Sequence, residues 1–80
     1  DRYNAACSWA LAGVPDSAFF QLDRIATKSN YTNIGHITQD TDLNSLHDDK
    51  RWQPLLAIIK GNWRRMTQID RRMTKEARPP

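Results

Sequence analysis

Apolar residues over the first 26 positions recur at helical spacing. Tyr3, Ala6, Cys7, Ala10 and Leu11 fall at i, i+3, i+4, i+7 and i+8, one stripe on a helix of period 3.6. Ala5, Trp9 and Ala12 form an adjacent face, and the many small residues let another helix backbone come close. Gly13 follows the stripe where a left-handed cap favours glycine. Pro15 then suits a first helical position, where its missing N–H costs nothing. Asp16 and Ser17 fall in the first turn, where acidic and capping groups suit the helix dipole. Ala18, Phe19, Leu22, Ile25 and Ala26 make a second stripe. Two such helices joined by so short a link form an antiparallel αα-hairpin.

Beyond Thr27 the pattern shortens, and Lys28 sits where a cation complements the helix C-terminus. Tyr31, Ile34 and Ile37 allow one short helical turn, capped by Thr32 or Asn33; Leu43 and Leu46 allow another, capped by Asp40 or Thr41. Asp48 or Asp49 can cap a third helix, whose apolar residues Trp52, Leu55, Leu56, Ile59, Trp63, Met66, Ile69 and Met73 follow steps of three and four. Pro54 is compatible if that helix begins just before it. Gly61 and Asn62 interrupt the pattern, the glycine at about 1 kcal/mol relative to Ala. The apolar spacing resumes across them, so a continuous helix to about Thr74 is expected, with Pro79 and Pro80 extended. The domain expected is residues 1–61, with 62–80 as a basic amphipathic extension.

The run Tyr3-Asn4-Ala5-Ala6-Cys7-Ser8-Trp9-Ala10-Leu11-Ala12-Gly13, followed by Asp16-Ser17-Ala18 and Leu22, resembles a tetratricopeptide (TPR) repeat. Ala6 and Ala18 stand where that family keeps small residues for close helix contact, Trp9 at its aromatic slot and Leu22 at a large apolar one. Arg2 departs from a frequent Trp, Ala5 from Leu, Ile25 from Ala and Asn30 from a closing Pro. The segment Asp40 to Leu56 is similar to the tail after the last hairpin in bacterial repeat proteins, a D-L-x-x-L-x-x-D-x-R-aromatic pattern leading into a closing helix. The resemblance implies an all-α TPR-like hairpin, then short helices and a longer amphipathic C-terminal helix, at the end of a repeat array.

Eighty residues hold one small domain, and 39% hydrophobic content with three Trp suffices for a modest core. No apolar run approaches the roughly 18 residues of a membrane span. The chain shows no signal segment and does not begin with Met, so a fragment or a processed product is expected. Cys7 alone excludes an internal disulfide framework, leaves the compartment open, and by its alanine-rich surroundings reads as a buried structural thiol. The net charge of +3 is uneven: residues 1–61 carry −1 and residues 62–80 carry +4.

Catalytic chemistry finds no constellation. Asp40, Asp42 and Asn44 copy the start of an EF-hand loop, but Ser45 replaces the glycine of its sixth position and Arg51 the bidentate carboxylate of its twelfth, so helix capping explains them better. His36 and His47 lack the spacing of a helical zinc pair and read as surface histidines. Ser8, Ser17, Ser29 and Ser45 sit in no nucleophile motif, and Gly13, Gly35 and Gly61 form no phosphate loop. Asn30-Tyr31-Thr32 matches a glycosylation sequon and reads as a plain loop.

The expected function is therefore protein–protein interaction or scaffolding, without enzyme activity, cofactor or metal. Tyr3, Ala6, Trp9, Ala18 and Leu22 are expected to hold the hairpin, and Leu43, Leu46, Trp52, Leu55, Leu56 and Ile59 to close it. Trp63, Met66, Ile69 and Met73 are the candidate contact surface. Its partner is upstream repeats, another protein or a second copy in a homodimer, because repeat units bury their faces on neighbours. The alternative is nucleic acid or another acidic surface on Arg64, Arg65, Arg71 and Arg72, whose two pairs lie seven apart on one helical face; Trp63 could stack on a base there. The same amphipathicity also suits a membrane surface, and a non-catalytic enzyme fragment is the third class.

Overall fold

Asp1 opens the first helix with its side chain, which accepts a hydrogen bond from the Asn4 amide at 2.8 Å. Helix α1 spans Arg2–Leu11, and Gly13 turns the chain at φ +78°, in the left-handed region. Pro15 begins α2, Pro15–Thr27, which forms the antiparallel hairpin with α1. The computed structural model describes the backbone of residues 1–77 and the side chains of residues 1–68. Among the described residues there is no strand, and the chain is all-α.

The small residues make the hairpin close. Ala6, Cys7 and Ala10 of α1 are buried with Ala18, Phe19, Leu22, Ile25 and Ala26 of α2. The hairpin stripe departs from expectation at two places. Leu11 is 67% exposed and Trp9 42% exposed, so neither fills the interior. Trp9 lies about 100° round the helix from buried Ala10, and Leu11 lies about 100° beyond it on the other flank. Only the narrow face of alanines and Cys7 points inward. Tyr3 is half-buried and packs against the core rather than within it.

The rest of the chain closes one side of this hairpin. Asn33 caps the short α3, Ile34–Gln39, by accepting from the His36 amide at 3.1 Å. Asp40 caps a 3₁₀ helix, Thr41–Leu46, by accepting from the Asp42 amide at 3.0 Å. Ile37, Leu43 and Leu46 are driven into the core from these two turns. Helix α4 spans Trp52–Ala77 and passes through Gly61 and Asn62 without a break, with Pro54 harmless in its first turn. Trp52, Leu55, Leu56 and Ile59 are buried, and α4 packs on α2 and α3 while the 3₁₀ helix packs on α1.

At 26 residues, α4 is roughly 39 Å long, twice the length of α2. The radius of gyration is 15.3 Å, against about 12 Å for a compact chain of this length. The buried side chains of α4 end at Asn62 among the described residues, so the helix runs on past the core. Pro79 and Pro80, expected to be extended, lie outside the described residues.

Candidate functional site

Three polar assemblies fasten the closing segment to the hairpin, each joining residues far apart in sequence. Asp40 centres the first. Its Oδ2 accepts from the Tyr3 hydroxyl at 2.7 Å and from the Cys7 thiol at 3.7 Å, while its Oδ1 takes the Asp42 amide. His36 Nε2 stands 3.8 Å from the same carboxylate. The Tyr3 ring stacks on Tyr31 at 5.9 Å and meets His36 at 5.0 Å. The Tyr3 hydrogen bond holds the Asp40 carboxyl below its ordinary range. Burial, reinforced by Asp40, pushes the Cys7 thiol up to about 11 and raises the phenols of Tyr3 and Tyr31. Cys7 is thus held as a buried, protonated donor to Asp40. Cys7 Sγ and carboxylate oxygens of Asp40 and Asp42 lie within 4.8 Å of one another, within reach of one ion. The Tyr3 hydroxyl, the Cys7 thiol and the Asp42 amide converge on Asp40, which caps the 3₁₀ helix as the sequence predicts.

Arg51 forms the second assembly. Its guanidinium donates to Asp49 through Nε at 3.0 Å and Nη2 at 2.8 Å, and to Asp16 through Nη1 at 2.8 Å. It also lies 4.5 Å from the centre of the Phe19 ring. These hydrogen bonds hold the Asp49 carboxyl down to about 2 and raise the already strong Arg51 base. The side chain of Asp16 is 88% exposed, so this clamp orients the α4 entry against α2 more than it stabilises the fold.

Asn62 is the third. It is the buried polar residue among the described residues, 4% exposed, and its Nδ2 donates to Ala26 O at 2.8 Å and Tyr31 O at 3.0 Å. It thereby satisfies a carbonyl in the last turn of α2 that has no partner within the helix. Its Oδ1 accepts from Arg65 Nη2. Sequence reasoning placed Asn62 in an extension beyond the core, whereas it bolts α4 to α2; no local signal marks such a contact. His47, expected at the surface, tucks its Nε2 inside without a hydrogen-bond partner and lies 4.6 Å from the Trp52 ring.

Among the described residues the large apolar groups left exposed are Trp9, Leu11, Val14, Phe20, Ile58, Trp63 and Met66. At the hairpin turn the Val14 amide donates to the Trp9 carbonyl at 2.9 Å. Arg2, two turns back on the same face, reaches Gln21 at 3.4 Å. Phe20 stands outward on α2, with the Arg24 guanidinium 5.6 Å from its ring.

No protein-family model matches the sequence, and no curated protein and no solved structure matches it. The surface therefore stands on its own geometry. Of the expected contact residues, Trp63 and Met66 are exposed on α4, at 47% and 42%. Arg64 and Arg65 are exposed beside them. The side chains of Ile69, Met73, Arg71 and Arg72 lie outside the described residues. A cleft of about 470 Å³ opens between the α2–α3 loop and α4, lined by Asn30, Thr32, Asn62, Arg65 and Met66. Among the described residues no helix is long and apolar enough to cross a membrane.

Proposed function

We propose that this chain is a non-catalytic protein–protein interaction module, the terminal part of a TPR-type helical repeat array. One observation carries the reading: the 3₁₀ helix packs on α1 and α4 on α2, while the large apolar groups Trp9, Leu11 and Val14 of the hairpin stay exposed. A repeat at the end of an array has this form, covered on one side and complementary to a neighbouring hairpin on the other. The isolated chain offers one substitute for that neighbour, the same hairpin in a second copy. Fluorescence quenching tests the point, because Trp52 is buried and Trp9 and Trp63 are not. In a Trp63→Phe variant, acrylamide quenching reads Trp9 and is expected to weaken as protein concentration rises. Quenching that stays constant from micromolar to millimolar protein would count against a covered flank.

A second reading, nucleic acid or another acidic surface, is supported by Arg64 and Arg65 standing exposed beside Trp63. Oligonucleotide affinity that falls steeply with salt supports it, and no binding at low salt removes it.

A further inference from the structure

The cleft beside Asn62 is a better-defined feature than the basic surface around it. Arg65 forms no salt bridge among the described residues; its described partner is the neutral Oδ1 of Asn62. Asn62 is itself held by two backbone carbonyls, so the guanidinium is anchored to a fixed post. A guanidinium carries five donors in a planar fork, and one is spent here. Arg65 lines a cleft whose other polar lining residues, Asn30, Thr32 and Asn62, are uncharged. Asn30 is set at φ +53°, a left-handed conformation that Asn tolerates better than other non-glycine residues. The negative end of α2 nearby is muted, since Ile25 O accepts from the Tyr31 amide and Ala26 O from Asn62.

We propose that this cleft docks an acidic peptide segment of a protein partner, with an Asp or Glu carboxylate on Arg65 and an adjoining apolar side chain on Met66. Charge complementarity selects the occupant. One guanidinium among neutral donors matches a monoanionic carboxylate in bidentate geometry. A phosphate dianion would keep one charge uncompensated. Met66, 42% exposed at the rim, supplies the apolar contact, and the cleft opens to solvent so that a peptide can continue past it. The volume of about 470 Å³ lies within the range of ligand pockets, roughly 300–1,000 Å³. This inference rests on the reading of the chain as an interaction module. It fails separately, because the cleft is read at Arg65 and the open flank at Trp9.

The test is an amide-resolved NMR titration of the full 80-residue chain. The probes are an end-blocked peptide of alternating Glu and Leu, its Gln counterpart, a Leu peptide with a free C-terminus, inorganic phosphate and a single-stranded oligonucleotide. The blocked Glu peptide is expected to shift the amides of Asn30, Thr32, Asn62, Arg65 and Met66. Replacing Glu by Gln, or making Arg65→Gln, weakens this by about ten-fold or more, as loss of a charge-assisted bidentate pair does. Arg64→Gln should leave it within about two-fold, because a screened exposed charge contributes little. Arg65→Lys keeps the charge and loses the fork, and is expected to recover only part of the affinity. If Arg65→Gln perturbs the fold, Thr32→Val reads the opposite wall. No shift at these amides with millimolar Glu peptide overturns the proposal. So does an equal loss with Arg64→Gln, or tighter binding of the free C-terminus, phosphate or oligonucleotide at the same amides.

Discussion

Asp40 and Asn62 show how much of this fold rests on single polar residues. Asn62→Ala would leave the carbonyls of Ala26 and Tyr31 without their donor, a loss of roughly 2 kcal/mol or more by the cost of unpaired buried groups. Urea unfolding reads it as a lower midpoint at unchanged slope. Asp40→Ala removes a cap and leaves the Tyr3 hydroxyl and the Cys7 thiol without their acceptor, with an expected loss of similar size. Asp40 was legible in the sequence as a cap, because capping is local and its partner lies two residues on. Its links to Tyr3 and Cys7 span more than thirty positions and leave no periodic trace. Asn62 was legible only as an interruption, since a buried amide aimed at another helix's carbonyl looks in sequence like any helix-weakening residue. Trp9 was misplaced for the converse reason: an aromatic at helical spacing reads as core, yet the buried face of α1 is alanine and cysteine, packed against Phe19 and Leu22 of α2.

At the scale of elements, the two informative glycines behave oppositely. Gly13 sits at φ +78° with no heavy atom within 4 Å of an added Cβ. Gly13→Ala therefore costs only backbone strain, about 1 kcal/mol. Gly61 has equally open space but lies inside α4, so Gly61→Ala should stabilise the protein by about 0.5–1 kcal/mol. For a domain of this size 1 kcal/mol shifts Tm by roughly 4–8 °C, so a thermal melt resolves both signs. The hairpin, its Gly-Pro punctuation and the continuity of α4 were legible because each depends on local backbone preference and apolar period. The side of the hairpin that α4 covers was not, because it is decided by side chains meeting across elements.

Across the whole molecule, the titrating groups bracket a stability plateau. Asp40 and Asp49 have lowered carboxyl values, Asp49 near 2, so their contribution is complete above the ordinary carboxylate range and is lost as pH falls toward 2. Cys7, Tyr3 and Tyr31 are raised, so theirs is complete below their ordinary values and is lost in alkali, for Cys7 between 9 and about 11. Asp23, an exposed residue whose carboxyl is raised by the desolvation of its partly covered side, works weakly against the acid limb. Denaturant midpoints are expected to be flat between about pH 5 and 8 and to fall on both sides. A steady rise from pH 8 to 11 would contradict the Asp40 assembly.

The same scale holds the central proposal, that the exposed apolar groups of the hairpin around Trp9 meet a protein neighbour. Its most direct measurement is the solution mass by size-exclusion chromatography with light scattering, for the native chain and for Trp9→Glu, across a concentration series. The account predicts that the native chain moves from one copy toward two as concentration rises, while Trp9→Glu stays at one copy with unchanged helicity. A native chain that remains at a single copy throughout, or a Trp9→Glu variant that associates equally well, would contradict it.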